Sequence, residues 1–367
     1  MINSDLYISL MKLNEICEVY SGYAIKEFNN IKKGLPVIKI GNILTDGTLN
    51  LGECQFSTED INEKYHSKKG DIYVALSGAT TGKLGIMEDE KKYIINQRVG
   101  IIRLKQKSVS QSYIKFFLLK QTERIIDEAT GCAQPNISPK QIGEYDVPVF
   151  PEKEMLQISD ILNNIVCVIK HYKAMIKKYD DLIKARFIEM FGDPVLNERK
   201  FPTLSGADFF KLSNGRAVPD EKRIETGIPA YGGNGISWYT DEFLMAEDTI
   251  VVGRVGFQSG NVHYVIGPLW ITDNAMYISQ YDKDKFNLRF LCELMQHVNF
   301  SRFQDAGDLK KITQKPFMTF KYILPSMDLQ QKFVNFKIEV DKSREEVKKS
   351  LEKTKQLYDS LMQEYFG

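Results

Sequence analysis

The sequence predicts a mixed α/β (α+β) fold, with two similar domains separated by a long antiparallel two-helix coiled coil. Three observations predict it. Two long runs lack glycine and proline and carry apolar residues at helical spacing. Each run follows a strand-like segment that ends near a proline. The features that precede the first run recur, in the same order, before the second. We therefore interpret the chain as a tandem duplication.

The first long helix is predicted over residues 151–192. Its apolar residues recur at alternating spacings of four and three, which is typical of a coiled-coil seam. Pro151 suits the first turn of a helix, and Gly192 with Pro194 ends it. At 1.5 Å per residue the helix is about 58 Å long. Because the seam is apolar over this whole length, the helix needs a partner helix.

The second long helix is predicted over residues 327–367 and supplies that partner. The two runs end alike, in Phe-Ile-Glu-Met-Phe-Gly and Met-Gln-Glu-Tyr-Phe-Gly. Four further apolar residues of the first run, Ile161, Val168, Met175 and Leu182, lie beside the seam and indicate another partner surface. The residues predicted at the interface between the two helices are Ile158, Ile165, Ile169, Tyr172, Ile176, Tyr179, Phe333, Val340, Val347 and Tyr358.

Composition limits the class of protein. The 367 residues are 43% hydrophobic and 26% charged, which is ordinary for proteins with real cores. We expect neither a membrane span nor a signal peptide. Five scattered cysteines, Cys132 among them, fit reduced thiols in a cytoplasm and predict no metal site. A net charge of +1 means that any DNA-binding face must be a local patch.

The first predicted domain covers residues 1–150. Strands are expected at 35–40, 71–76, 84–87, 93–95 and 99–104, because these runs are apolar and bounded by turn residues. A loop at 77–83 follows the clearest strand. An amphipathic helix is expected over 113–128, followed by a surface loop at 132–140.

The second predicted domain covers residues 193–326 and repeats that order. The strand at 248–252 and the loop at 253–261 match 71–83, and residues 270–275 match 93–98. A helix over 288–303 matches the first one, and residues 307–312 match 131–137. The loop side chains differ, as expected for one scaffold with two ligand specificities. Random sequence drift after the duplication would produce the same difference between the loops.

These residues carry a family resemblance over essentially the whole chain. Its pieces are Ser-Gly-Ala-Thr-Thr-Gly-Lys-Leu-Gly at 77–85, Ile-Ile-Asn-Gln at 94–97, Gln-Pro-Asn-Ile at 134–137 and Phe-Gly-Asp-Pro at 191–194. Their order, repeated twice, resembles the DNA specificity subunit of Type I restriction–modification enzymes. No single piece is specific.

The resemblance implies a non-catalytic subunit with two target-recognition domains, each reading one half of a split double-stranded DNA sequence. It implies that the helices bind two methyltransferase subunits and that a separate motor–nuclease (restriction) subunit completes the restriction enzyme. No cofactor is expected in this chain: S-adenosylmethionine belongs to the methyltransferase, and ATP with magnesium to the restriction subunit. The antiparallel helices predict a pseudo-two-fold axis between the domains, hence an interrupted, asymmetric target.

Candidate DNA contacts lie in the loops, because glycine lets backbone approach phosphate and Lys or Arg neutralises it. In the first domain Asn96, Gln97 and Arg98 are candidates for reading base edges. Thr80, Thr81 and Lys83 are candidates for holding the DNA backbone. A satisfied turn residue or a solvated lysine is the alternative at each position. The candidates in the second domain are Asn234, Arg254, Gln258, Lys310 and Lys311.

Catalytic interpretations find little support. The loop 78–83 resembles a phosphate-binding loop, but it has three residues between its glycines, and Leu84 replaces the magnesium-binding Ser or Thr. Asp71 with Glu90 faintly resembles a nuclease pattern. Two alternatives stay open beside the leading function: a nuclease with built-in target recognition, and a coiled-coil scaffold that binds protein.

Overall fold

The computed structural model describes residues 9–105, 109–129, 135–305, 307 and 310–367; Cys132 and Gln134 lie outside these ranges. Both predicted long helices are confirmed, each forty residues long. The helices are α1 Leu13–Ile16, α2 Gln111–Lys120, α3 Thr122–Ala129, α4 Pro139–Gly143, α5 Glu152–Phe191, α6 Leu288–Val298, α7 Lys315–Thr319 and α8 Met327–Phe366.

The strands are short, as expected. In chain order they are β1 Ser9–Lys12, β2 Cys17–Ser21, β3 Leu35–Ile38, β4 Gln55–Ser57, β5 Ile72–Ala75, β6 Leu84–Ile86, β7 Ile94–Ile95, β8 Val99–Leu104, β9 Asp146–Val149, β10 Thr203–Ser205, β11 Phe210–Asn214, β12 Ile228–Gly232, β13 Gly235–Thr240, β14 Thr249–Gly253, β15 Val262–Val265, β16 Trp270–Ile271, β17 Ala275–Tyr281 and β18 Lys321–Ile323.

The chain divides into two compact units. The first unit is residues 1–173 with 349–367, and the second is residues 174–348. Each unit therefore contains part of both long helices, whereas the predicted domains placed the helices outside. Within the described residues, no helix is both long enough and apolar enough to cross a membrane.

In the first unit, three sheets surround two apolar layers. The sheet orders are β1-β9, β2-β8-β5-β6 and β4-β3-β7. Side chains of β5 alternate between the layers: Ile72 and Val74 face the helices, while Tyr73 and Ala75 face the three-stranded sheet. The four-stranded sheet is therefore buried on both sides, which explains its continuous apolar sequence.

The second unit has the same three sheets in the same order, β10-β18, β11-β17-β14-β15 and β13-β12-β16. On β14, Ile250 and Val252 face the helical layer and Val251 faces the three-stranded sheet. Every strand of the first unit thus has a counterpart, and the predicted duplication is confirmed.

Two predicted helices are shorter than expected. The helix predicted over 113–128 is two helices, α2 and α3, which meet at Gln121. The helix predicted over 288–303 ends at Val298, because Asn299 adopts a left-handed conformation with φ of 57°. A short 3₁₀ turn at Phe300–Phe303 follows. Apolar spacing continues through both breaks, so periodicity alone did not reveal them.

The two long helices are equivalent residue by residue, with a constant offset of 175. The amide of Glu154 donates to the carbonyl of Pro151, as that of Leu329 does to Ser326. The last helical residues, Phe191 and Phe366, keep the same offset.

In the first unit the long helices close the core with apolar side chains. Ile158 and Leu162 of α5 are buried in one cluster with Met362 and Phe366 of α8. The ring of Phe366 lies 5.0 Å from that of Tyr113 on α2, centroid to centroid. Burial of such side chains stabilises the unit by about 1.5–3 kcal/mol each.

In the second unit aromatic rings close the equivalent core. The rings of Phe187 on α5 and Phe333 on α8 lie 5.4 Å apart, and Phe191 lies 4.9 Å from Phe290 on α6. The two helix segments of this unit run antiparallel, since Asp180 pairs with Arg344 while Phe187 meets Phe333.

Beside these rings, the second unit contains a largely buried ion network. Lys337 lies 2.9 Å from Glu293 on α6 and 3.1 Å from Asp341, and Arg344 bridges Asp341 and Asp180. Burial opposes the Lys337 charge, but Glu293 and Asp341 outweigh it and raise the pKa of Lys337 above its ordinary value. By the constant offset, Lys337 and Asp341 correspond to the apolar Leu162 and Val166.

The predicted helix-interface residues are all buried or half-buried. Ile158, Phe333 and Val340 are buried, and the other seven are half-buried. By contrast, the four residues beside the seam are exposed: Ile161 and Val168 in the first unit, Met175 and Leu182 in the second.

We predict that Glu293→Ala will destabilise the second unit by about 1–3 kcal/mol, because Lys337 loses one of its two carboxylate partners and keeps only Asp341. Glu293→Leu combined with Lys337→Leu should recover most of this loss, as apolar residues do at buried ion pairs. Urea unfolding followed by tryptophan fluorescence measures the effect, since Trp238 and Trp270 both lie in this unit. Lys283→Ala, in an exposed ion pair with Glu247, serves as control and should change little. Equal losses in the single and double variants would contradict this.

Candidate nucleic-acid interface

The loop at 77–83 is a compact turn that closes the hairpin of β5 and β6. The Thr81 amide donates to the Gly78 carbonyl at 3.1 Å, and the Gly82 amide donates to Ala75 at 3.0 Å. Gly78 and Gly82 have φ of 82° and 83°, a conformation that favours glycine. The glycines predicted to let backbone approach a ligand are thus required by the turn itself.

Two distant segments are hydrogen-bonded to this loop. The Leu76 amide donates to the Arg98 carbonyl at 2.9 Å, and the Gly78 amide donates to the Pro135 carbonyl at 3.1 Å. The Ile137 amide returns a bond to Leu76 at 2.9 Å. We call residues 76–83, 96–98 and 135–137 the first loop cluster.

The second unit repeats these bonds. The Arg254 amide donates to the Asn274 carbonyl at 2.9 Å, the Gly256 amide to Lys310 at 2.8 Å, and the Ile312 amide to Arg254 at 3.0 Å. We call residues 254–261, 272–274 and 310–312 the second loop cluster. Each unit therefore joins its predicted contact loops into one surface, using the same backbone bonds.

The shared bonds correct two predicted correspondences. Residues 270–275 match 94–99 rather than 93–98, since Trp270 pairs with Ala230 as Ile94 pairs with Val37. The counterparts of Gln97 and Arg98 are consequently Asp273 and Asn274, which sequence reasoning missed. Arg254 corresponds to the buried Leu76.

Side chains of the first loop cluster divide into exposed and turn-forming groups. Gln97 and Arg98 are exposed, and Lys83 is half-buried. Asn96 accepts the amide of Arg98 at 3.3 Å, and the Thr81 hydroxyl donates to the Gly78 carbonyl at 2.7 Å. The Thr80 hydroxyl is buried without a hydrogen-bond partner among the described residues. Gln97, Arg98 and Lys83 are thus best placed to meet a ligand.

In the second loop cluster Gln258, Lys310 and Lys311 are exposed. Arg254 is half-buried, and its guanidinium reaches the Asp273 carbonyl at 3.4 Å. Asn234 is exposed on the turn between β12 and β13. That turn meets the cluster closely, because a Cβ added at Gly233 would lie 3.2 Å from the Cα of Gly253.

Gln304 is a structural member of the second cluster that sequence reasoning missed. Its side-chain amide donates to the carbonyls of Phe257, at 3.3 Å, and Ser259, at 2.5 Å. Gln304 is more than forty residues away in the chain, and no spacing rule links it to the loop. Its two hydrogen bonds join the segment after α6 to the loop tip.

The two acidic residues of the nuclease alternative do not meet. Asp71 is 2% exposed and accepts from Arg103 at 2.7 and 2.6 Å. Burial opposes the Arg103 charge, but the hydrogen bonds and charge of Asp71 outweigh it and raise the pKa of Arg103. Glu90 instead pairs with Lys69 at the surface. Across the described ranges, no group of three or more His, Cys, Asp or Glu could hold a metal ion.

The two units are copies of one scaffold, and each presents exposed amide and basic side chains in its loop cluster. Residues 8–178 and 201–354 match the model of the Type I restriction modification DNA specificity domain. The chain belongs to this family.

Part of the chain also matches curated relatives. The Type I restriction enzyme MjaVIII specificity subunit of Methanocaldococcus jannaschii is 25% identical over 181 residues, 46% of this chain and 42% of the relative. The matches thus span less than half the length of the curated relatives.

The fold also matches that of solved structures over its whole length. The S subunit of a Type I restriction–modification system from M. genitalium has a TM-score of 0.66 at 17% identity, covering 100% of this chain and 98% of that one. A second solved structure concerns the complex assembly and conformational transition of the type I R-M system. It has a TM-score of 0.61 at 12% identity, and the match covers 99% of each chain. At these identities the likeness concerns the fold.

We predict different effects for two residues of the first loop cluster. Lys83→Ala should weaken DNA binding for all sequences and reduce the slope of log affinity against log salt by about one, as loss of a phosphate contact does. Gln97→Ala should relax one base position, at a cost of about 1–3 kcal/mol of discrimination. Lys91→Ala, at an exposed position in the segment between β6 and β7, is the lysine control. Binding titrations over a salt series measure both, and identical behaviour of the two variants would refute the division of roles.

Proposed function

We propose that this chain is the DNA sequence-recognition subunit of a Type I restriction–modification complex. The observation that carries the proposal is the pair of loop clusters: identical backbone bonds present different side chains. Gln97 and Arg98 in the first cluster stand where Asp273 and Asn274 stand in the second. A shared framework with different exposed groups suits two readers of unlike half-sites, and family membership supplies the ligand class.

The proposed target is bipartite and asymmetric. The two units are expected to be related by a pseudo-two-fold axis through an antiparallel coiled coil, and so to read opposite strand directions. Recognition units on one face of a duplex lie about one helical turn, or a multiple, apart. The equivalence of α5 and α8, residue by residue, supports this symmetry.

The long helices are proposed to dock two methyltransferase subunits, and restriction subunits where present. Support comes from the exposed apolar residues Ile161, Val168, Met175 and Leu182, spaced by seven along α5. Such a stripe fits a helix of a partner protein. S-adenosylmethionine is then bound by the methyltransferase, and ATP with magnesium by the restriction subunit.

The chain itself is proposed to be non-catalytic. The Asp71 carboxylate is buried in an ion pair with Arg103 and is not exposed to bind a metal ion. The acidic pattern that suggested a nuclease therefore has another role. A scaffold that binds protein alone would have no need for two loop clusters whose exposed side chains differ on the same framework. Cleavage of plasmid with magnesium and no partner would support the nuclease instead.

We predict that cells carrying this chain and its methyltransferase modify an interrupted, non-palindromic motif, with one adenine on each strand. Single-molecule mapping of modified bases measures this. Deletion of the chain should erase the motif. Replacing residues 196–326 with the equivalent unit of a relative should change one half-site and keep the other. A continuous motif, or one that survives the deletion, would overturn the proposed function.

We predict that Met175→Lys together with Leu182→Lys weakens methyltransferase binding about tenfold or more. Full burial of each apolar side chain is worth about 1.5–3 kcal/mol, and the partner can cover only the 40% and 46% of them that are exposed. Both residues are exposed, so folding should be unchanged. Ile266→Lys, at an exposed apolar residue 64% accessible elsewhere in the second unit, is the matched control. Titration of the purified methyltransferase measures the affinity. Equal binding by both variants would refute docking on this stripe.

A further inference from the structure

Phe257 is an apolar side chain that projects from the second loop cluster into solvent. It is 84% exposed, the highest value among the large hydrophobic side chains that the structure describes. Isolated exposed apolar residues are common on protein surfaces, so exposure alone indicates nothing. Its surroundings distinguish this residue.

The backbone around Phe257 is held on both sides. The Gly256 amide donates to the Lys310 carbonyl at 2.8 Å, and the Gln304 side chain donates to the Phe257 carbonyl at 3.3 Å. Gly256 has φ of 85°, which sets the direction of the tip. A backbone that is already held in place loses little further conformational freedom when the loop meets a ligand.

One lysine ammonium lies over the ring. The Lys310 ammonium lies 5.4 Å from the centroid of Phe257, within the range of a cation–π contact. Lys311 and Gln258 are exposed on the same cluster. An anionic backbone held by these lysines would bring the ring to the edges of the bases.

The first unit has no equivalent ring. The shared backbone bonds place Ala79 at the position of Phe257, and Ala79 is also exposed. The two units therefore differ in apolar reach at the same point of the same loop. Such a difference is what unequal half-sites require.

We propose that Phe257 contacts the 5-methyl group of a thymine in the half-site read by the second unit. The thymine methyl is the apolar group at the base edges of the major groove, and Phe is among the side chains that recognise it. Phe257 then selects an A·T pair at one position. The inference rests on the proposed function and adds a specificity-determining residue to it.

Substitution of single thymines by deoxyuridine tests this contact, because deoxyuridine lacks the methyl group and keeps the base pair. The complex of this chain with its methyltransferase is titrated with target duplexes carrying one deoxyuridine each in the second half-site. Loss of one buried methyl should weaken binding about three- to fivefold at one position. Phe257→Ala should bind the unmodified duplex equally weakly and be indifferent to that substitution, while Phe257→Leu keeps part of the effect.

Phe243→Ala is the matched control, because Phe243 is 56% exposed in the same unit beside Asp241 and Glu242. It should retain the full response to deoxyuridine. A selective complex that is indifferent to every deoxyuridine would overturn the methyl contact and leave the proposed function standing. A complex that binds all duplexes alike would overturn the proposed function and the contact together. Should Phe257→Ala fail to fold, Phe257→Leu decides: an undiminished response to deoxyuridine in that variant would overturn the contact by Phe257.

Discussion

Closure of each core by segments of both long helices is the constraint on which the rest of this structure depends. The first unit buries Ile158 of α5 together with Phe366 of α8, at opposite ends of the two helices. The second unit buries Phe187 and Phe333 in the same way. Without these helix side chains, the apolar layer on the helical side of the four-stranded sheet in each unit would be open to solvent. Each helix therefore belongs to the hydrophobic cores of two units.

A second constraint separates framework from specificity. The amide–carbonyl bonds that join the three segments of each loop cluster use no side chain, so they tolerate almost any sequence at exposed positions. The bond from the Leu76 amide to Arg98 has its counterpart from Arg254 to Asn274, although both the donor and the acceptor residue differ between the units. Backbone bonding of this type lets exposed residues change without loss of the loop geometry. Recognition can then diverge between the units while stability is kept.

Sequence reasoning predicted the long helices, the duplication and the loops because each leaves a local periodic or repeated signal. The seam residues from Ile158 to Tyr179 are all buried or half-buried, as their spacing indicated. The break at Asn299 was missed because apolar spacing continues past it, and only the left-handed backbone ends the helix there. The one-residue error at 270–275 arose because similar apolar pairs permit two alignments, and strand register decides between them. Gln304 leaves no local signal, since its role depends on a contact across more than forty residues.

In each unit, one long helix packs its first turns against the rest of the unit. These two contacts, which we call the helix junctions, are equivalent in position but differ in chemistry. Leu162 and Val166 in the first unit are replaced by Lys337 and Asp341 in the second, where Glu293 and Arg344 complete the pairing. Apolar side chains tolerate many neighbours, whereas a buried charge tolerates few, because an unpaired one is costly. The ionic junction therefore accepts a narrower set of partner segments than the apolar one. Asp180 of α5 meets this requirement by pairing with Arg344, so the charges of the second unit select the helix segment that packs against it.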